Sequence, residues 1–259
     1  MTTDFFPAVR ITAGYENVAA VCPKCGTRNV YNRAADIGHF RNIANASVAC
    51  ENASCRVTFD ICGDLVNSAP EMLALDACDF LLEKRNMQAV LSATTAFEHF
   101  FSHFLRVELV YRPMRRDVTT DRNDIDWLNA AATRLRDKTA RFTFEPMRRI
   151  FLRTAVDDVR PTTLASAEAY VSSIPDRPKE VARVDIERLP DGARRSLLLR
   201  VHSATIANLR NNIVHKTAYR PALDETRAAV HDAFETIFGL STHFAFGDDN
   251  YHLNETLEE

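Results

Sequence analysis

The apolar positions of this chain fall into two textures. From residue 69 onward they recur every three to four residues, the period of an amphipathic helix, and predict helices near 70–84, 87–111, 122–141, 145–156, 162–173, 191–216 and 221–243. Before residue 69 the runs are short and rich in strand-forming residues, at 18–21, 29–32, 46–49 and 56–62, separated by Cys, Gly, Pro and Asn. The expected fold is mainly α, with a small β-rich module in front of it.

Glycine and proline sharpen that division. Four of the seven glycines lie in the first 63 residues, and none occurs between Gly63 and Gly192. A sheet built from hairpins needs tight turns with positive φ, so a glycine-free stretch of that length points to helices. Pro70, Pro113, Pro146, Pro161, Pro175, Pro178, Pro190 and Pro221 fall at the joints between the helical segments. The charged, proline-containing piece at 174–190 reads as a long connection or insertion. The expected domains are 1–68, 69–246 and an acidic tail at 247–259, which carries five acids and no Lys or Arg.

Composition excludes several classes. The 259 residues are 46% hydrophobic and 26% charged, as in folded globular proteins, and suffice for a core without disulfides. No apolar run approaches the roughly 18 to 20 residues of a membrane-spanning helix, and the N-terminal stretch lacks a basic start followed by an apolar core. The expectation is a cytoplasmic protein with no membrane partner. A net charge of -3 gives no global attraction to nucleic acid, so any such binding rests on local patches. The segment 106–153 has twelve Lys/Arg against seven Asp/Glu, a balance that ordinarily marks a solvated helical surface.

In the first module, Cys22-Pro23-Lys24-Cys25-Gly26 is followed by Cys50-Glu51-Asn52-Ala53-Ser54-Cys55. The pattern C-x2-C-x24-C-x4-C resembles a zinc ribbon over residues 15–62. Four thiolates suit tetrahedral Zn²⁺, so Cys22, Cys25, Cys50 and Cys55 are the expected ligands of a structural zinc. The second pair departs from the usual spacing by two residues. Disulfides are the alternative, disfavoured in a reducing compartment, and His39 is a substitute ligand only if the second knuckle fails. Cys62 and Cys78 read as small buried apolar groups. Either the ribbon only folds around its metal or it also guides a nucleic-acid or protein partner.

The longest helical pattern, at 86–113, carries a carboxylate on an apolar stripe. Leu91, Thr94, Phe101 and Leu105 share one side of an ideal helix with Glu98. A buried carboxylate costs several kcal/mol unless paired or neutralised. Glu98 is thus either a boundary residue whose head reaches water or the partner of a cation from the segment LRNNIVH, which begins at Leu209. His99 and His103 have a metal-compatible spacing but lack the glutamate of an HExxH site.

In the last third, 196–216 reads as one amphipathic helix along Leu198, Val201, Thr205, Leu209 and Ile213. Its unusual members are Arg210, Asn211 and His215. Arg-x4-His with a polar residue after the arginine, a helix ending just past the histidine, and an earlier helix carrying AFEHF together resemble the HEPN superfamily. The resemblance covers most of 70–245. It implies an all-helical bundle and a metal-independent endoribonuclease, of a kind found in anti-phage defence and toxin systems, with RNA as substrate and an antitoxin or defence protein as possible partner. His215 is then the general acid/base, Arg210 the phosphate-holding cation, and Asn211 a hydrogen-bonding neighbour. Glu98, on the AFEHF helix, completes the expected catalytic set. Positions five apart lie about 140° around a helix, so Arg210 and His215 do not share one face: either the helix unwinds near its end, or another surface completes the site. HEPN nucleases dimerise, which implies a homodimer with a composite cleft. The same resemblance also allows a non-catalytic nucleotide- or RNA-binding sensor.

Overall fold

A computed structural model of the chain describes residues 17–38, 43, 45–61, 68–113, 122–140 and 143–244. His39, Cys62 and the acidic stretch 247–259 lie outside the described residues. The chain divides into two compact units, Met1–Ser68 and Ala69–Glu259.

The first unit is two antiparallel hairpins. Strands β1 (Asn17–Val21) and β2 (Arg28–Asn32) pair with Val18 opposite Tyr31, and β3 (Ala46–Ala49) and β4 (Thr58–Ile61) pair with Val48 opposite Phe59. Alternation sends Val18, Tyr31, Val48 and Ile61 inward, where they meet Ile43 in a small core. The Tyr31 hydroxyl donates to the Ala49 carbonyl at 3.0 Å, joining one hairpin to the other. After β2 a single π-type turn, Arg33–Ile37, opens on the Asn32 side chain, which accepts from the Ala34 and Ala35 amides, and closes on Gly38 at φ 85°.

The second unit is all helix among the described residues: α1 (Ala69–Leu82), α2 (Asn86–Arg106), α3 (Arg122–Lys138), α4 (Phe144–Val156), α5 (Leu164–Ser173), α6 (Arg183–Glu187), α7 (Ala193–Ser203), α8 (Ile206–His215) and α9 (Leu223–Phe244). α2 runs on into a π-helical turn, Val107–Tyr111. α2 is the central helix and packs against α1, α4, α8 and α9. Its phenylalanines build the core with α4. Phe101 stacks on Phe151 at 5.0 Å between centroids, and Phe104 meets the same ring edge-on at 4.8 Å. Each such pair contributes about 0.5–1.5 kcal/mol beyond area burial.

Two sequence expectations are corrected here, and a third gains detail. Leu91 is 37% exposed, while Thr94, Phe101 and Leu105 of the same stripe are buried, and the buried face of α2 extends from them across Ala93, Phe97, Phe100 and Phe104. The single helix expected over 191–216 is two helices broken at Ala204, which is extended (φ −57°, ψ 122°). The break is stabilised by side chains: the Ser203 hydroxyl donates to the Leu199 carbonyl at 2.8 Å, and Arg148 of α4 donates to the His202 carbonyl at 3.2 Å. The piece 174–190 contains the short α6 and is held by ion pairs and hydrogen bonds. Glu180 takes Arg148 at 2.7 Å and Arg149 at 3.2 Å, and Arg149 also donates to the Pro178 carbonyl.

Non-glycine residues fill the left-handed positions that follow helices in the glycine-free region. Lys84 (φ 62°) sits in the turn after α1, where the Arg85 amide bonds back to the Phe80 carbonyl at 2.8 Å, and Ala140 (φ 48°) and Asp158 (φ 50°) stand after α3 and α4.

Candidate functional site

The hairpin unit brings Cys22, Cys25, Cys50 and Cys55 together, with all four sulfurs within 4.8 Å of one another. Cys22 Sγ lies 3.9 Å from Cys55 Sγ, and Cys25 Sγ lies 3.7 Å from Cys50 Sγ. Disulfide sulfurs stand about 2.05 Å apart, so these are four free thiols. Tetrahedral ligands at about 2.3 Å from a metal ion stand about 3.8 Å from each other. The cluster therefore fits a tetrahedral, thiolate-bound ion, and among the described residues it is the one group of three or more His, Cys, Asp or Glu so placed.

The two knuckles are built alike despite their unequal spacing. In the first, the Cys22 amide donates to the Thr27 carbonyl at 2.9 Å around Gly26 at φ 70°. In the second, the Cys50 amide donates to the Val57 carbonyl at 2.9 Å, and the position matching Gly26 is Arg56 at φ 49°. The two extra residues form a local turn, closed by the Asn52 carbonyl accepting from the Cys55 and Arg56 amides.

Asn29 braces one knuckle against the other. It is fully buried, its amide donates to the Thr27 carbonyl at 3.0 Å, and its Oδ1 accepts from the Glu51 amide at 2.8 Å and lies 3.6 Å from Cys50 Sγ. Sequence reasoning missed Asn29; its place two residues beyond Thr27 on the inward face of β2 was the available signal. The thiols differ in their surroundings. The Thr27 hydroxyl, 3.2 Å from Cys25 Sγ, pulls that thiol down to about 6, while burial pushes Cys50 up to about 11.

In the helical unit α8 stays α-helical through His215, and the Lys216 amide still bonds to the Asn212 carbonyl at 3.0 Å before the chain turns extended. The offset between Arg210 and His215 is thus not relieved by unwinding: the two stand about 7.5 Å apart along the axis and about 140° around it. His215 is exposed and Arg210 half-buried. Arg210 donates to Asn211 Oδ1 at 3.3 Å.

Glu98 is half-buried on α2, which packs against α8. Burial raises its carboxyl above the ordinary range; the Arg210 guanidinium and the Phe144 amide act in the opposite direction. Arg210 is near enough to act on Glu98 electrostatically without forming a direct ion pair with it. The structure thus brings Glu98, Arg210 and Asn211 into one neighbourhood and leaves His215 at the exposed end of the same helix. Beyond His215, the Tyr219 hydroxyl donates to Glu225 Oε2 at 3.2 Å, and Asn86 of α2 donates to the Pro221 carbonyl at 3.2 Å, which fixes the turn from α8 into α9.

His99 is exposed, while His103 is mostly buried and pushed down to about 4, chiefly by burial and then by Arg106 and His99. Neither joins a metal-ligating group among the described residues. Cys78 is fully buried, its thiol donating to the Ala74 carbonyl at 3.1 Å. No helix among the described residues is long and apolar enough to cross a membrane. Comparison with protein-family models, curated proteins and solved structures finds no match to the chain.

Proposed function

We propose that this protein is a metal-independent endoribonuclease of HEPN type, active as a two-fold homodimer, with a structural Zn²⁺ on Cys22, Cys25, Cys50 and Cys55. The observation that carries the reading is the arrangement of α8: an exposed imidazole as its last residue and, five residues earlier, a guanidinium hydrogen-bonded to Asn211 and near enough to act electrostatically on a half-buried carboxylate on α2. An arginine so held is preorganised for a phosphate, because its planar fork of donors matches phosphate oxygens and its position is set before substrate arrives.

The chemistry follows from these groups. A ribose 2′-OH attacks the adjacent phosphorus, and one imidazole removes its proton. The bond to the 5′-oxygen breaks, and a second imidazole protonates that oxygen, leaving a 2′,3′-cyclic phosphate and a 5′-OH. Imidazole suits both roles because it titrates near neutral pH. Arg210 stabilises the negative charge that builds on the phosphorane oxygens, Asn211 holds Arg210 by a hydrogen bond while Glu98 acts on it electrostatically, and His215 moves the proton. α8 supplies one imidazole per chain, so the second comes from the His215 of another copy, which a two-fold axis brings to the same cleft. Zinc supplies folding free energy to a unit too small to hold itself together by apolar burial, and the reaction proceeds without it. An anti-phage or toxin setting, with a protein that restrains the enzyme, fits such an activity.

Incubating the protein with total cellular RNA and excess chelator tests the proposal. Wild type cleaves, while His215→Ala and Arg210→Ala lose activity by the 10²–10⁴-fold typical of removing an acid/base group. Uncut RNA, or equal cleavage by His215→Ala, overturns it. One observation favours a second reading: a chain acting alone has a single imidazole on α8 and a guanidinium already engaged, which suits a binding module. That reading predicts stoichiometric RNA binding without turnover, lost in Arg210→Ala.

A further inference from the structure

The turn that follows His215 carries cations that the ion pairs of the helical unit leave out. Arg183, Arg188, Arg194, Arg195 and Arg200 each pair with a carboxylate, and so does Arg227 on α9. In the sequence between Arg200 and Arg227, the cations Arg210, Lys216 and Arg220 form no ion pair among the described residues. Lys216 and Arg220 are exposed, yet their places are set. The Tyr219 amide donates to the Lys216 carbonyl at 3.0 Å and closes the turn. The Tyr219 hydroxyl donates to Glu225 Oε2 at 3.2 Å and is also bonded to Asn212, which pins the ring across the last turn of α8. The Lys216 ammonium lies 5.8 Å from the centre of that ring, and the Arg220 guanidinium donates to the Tyr219 carbonyl at 2.8 Å. Two uncompensated cations thus gather on one tyrosine, and the first of them directly follows the exposed imidazole.

We propose that Lys216 and Arg220 form a subsite for a backbone phosphate of the RNA, one other than the phosphate being cleaved. The inference rests on the ribonuclease reading, in which Arg210 holds the scissile phosphate, and it assigns residues that this reading does not use. Arg210 and Lys216 are six positions apart, about 9 Å along α8 and about 120° around it, so they take different phosphates of one strand. A cation with no carboxylate beside it keeps its donors and its charge for a ligand, and neutralising a phosphate releases counterions, the main source of affinity for nucleic acid. Contacts of this kind set the register of a strand and carry no base preference. The subsite therefore holds the strand so that a ribose 2′-OH stands at His215, and it binds the ground and transition states alike. Its loss appears in KM and leaves kcat in place.

The test uses the full-length protein and a labelled single-stranded octanucleotide of 2′-O-methyl RNA, which lacks the attacking hydroxyl, so anisotropy reads binding whether or not the protein cleaves. The slope of log K against log salt concentration is expected to become shallower by about 0.7 in Lys216→Gln and by about twice that in the double variant Lys216→Gln/Arg220→Gln. Lys216→Arg keeps the wild-type slope. Arg227→Gln removes a neighbouring cation that already pairs with Asp224 at 3.1 Å, and it also keeps the wild-type slope. Both subsite residues are exposed, so the variants retain the thermal midpoint of wild type. With cleavable RNA at low salt, the double variant is expected to raise KM by about three- to tenfold with kcat within about twofold of wild type. A slope unchanged in the double variant, a slope lowered as much by Arg227→Gln, or a loss confined to kcat overturns the subsite. Wild type that cuts RNA while the double variant keeps its slope defeats the subsite and leaves the ribonuclease reading standing. Wild type that binds with the expected slopes and never cuts does the reverse, and wild type that binds no RNA defeats both.

Discussion

Replacing Asn29 by alanine tests how the four-cysteine unit is held together. The substitution removes two hydrogen bonds, one within the first knuckle to the Thr27 carbonyl at 3.0 Å and one across to the second from the Glu51 amide at 2.8 Å, at a residue with no solvent exposure. At a net contribution of about 1 kcal/mol each, the loss is about 2 kcal/mol, or roughly 30-fold in an equilibrium constant. With the proposed Zn²⁺ on the four cysteines, a unit this small folds as it takes up the ion, so the loss is expected to appear as weaker zinc binding, within the roughly 10–100-fold range for residues that orient metal ligands. Competition against a coloured chelator of known affinity measures it directly. Thr58→Ala, at an exposed position on β4, serves as the control with no effect expected. If Asn29→Ala holds zinc within about threefold of wild type, the knuckles are not braced through Asn29.

Three further outcomes follow from the side-chain contacts and backbone geometry. Arg56→Gly places glycine at a left-handed position (φ 49°) equivalent to Gly26, and is expected to stabilise the first unit by about 1 kcal/mol in thermal unfolding without changing metal stoichiometry. Arg148→Met removes a cation 8% exposed that joins Glu145, Glu180 and the His202 carbonyl; the half-exposed acids recover some hydration, so the expected loss in denaturant unfolding is about 2–3 kcal/mol. His103 is held neutral down to about pH 4, whereas in the unfolded chain it takes up its proton near the ordinary 6.5. Between those values the unfolded state binds the extra proton, so stability falls as pH drops from about 6.5 to 4, by up to about 3 kcal/mol. In His103→Gln that part of the pH dependence of unfolding disappears.

The helical periodicity and the cysteine spacing were legible because each is set by contacts close in sequence. Six of the seven helical patterns reappear as single helices, and Cys22, Cys25, Cys50 and Cys55 converge because two short hairpins place a knuckle at each tip. What was not legible depends on partners far along the chain. The break at Ala204 rests in part on a guanidinium 54 residues away, so the apolar stripe of 196–216 carries no sign of it. Leu91 and Phe97 are both apolar, and only the packing of α2 against α1, α4, α8 and α9 decides which of them is buried. Asn29 reads as an ordinary strand residue until Glu51 is brought to it. For the helical site, the sequence pointed to Glu98, Arg210, Asn211 and His215. The structure adds that Arg210 and Glu98 act on each other electrostatically, and that α8 persists to His215.

The claim that α8 carries an RNA-cleaving site is tested most directly with a short defined RNA, incubated with wild type and with His215→Ala in the presence of chelator, and with its all-DNA counterpart. The account predicts that wild type cuts the RNA to fragments ending in a 2′,3′-cyclic phosphate and leaves the DNA whole, and that His215→Ala cuts neither. Cleavage of the DNA, cleavage by His215→Ala at the wild-type rate, or products ending in a 5′-phosphate would contradict it.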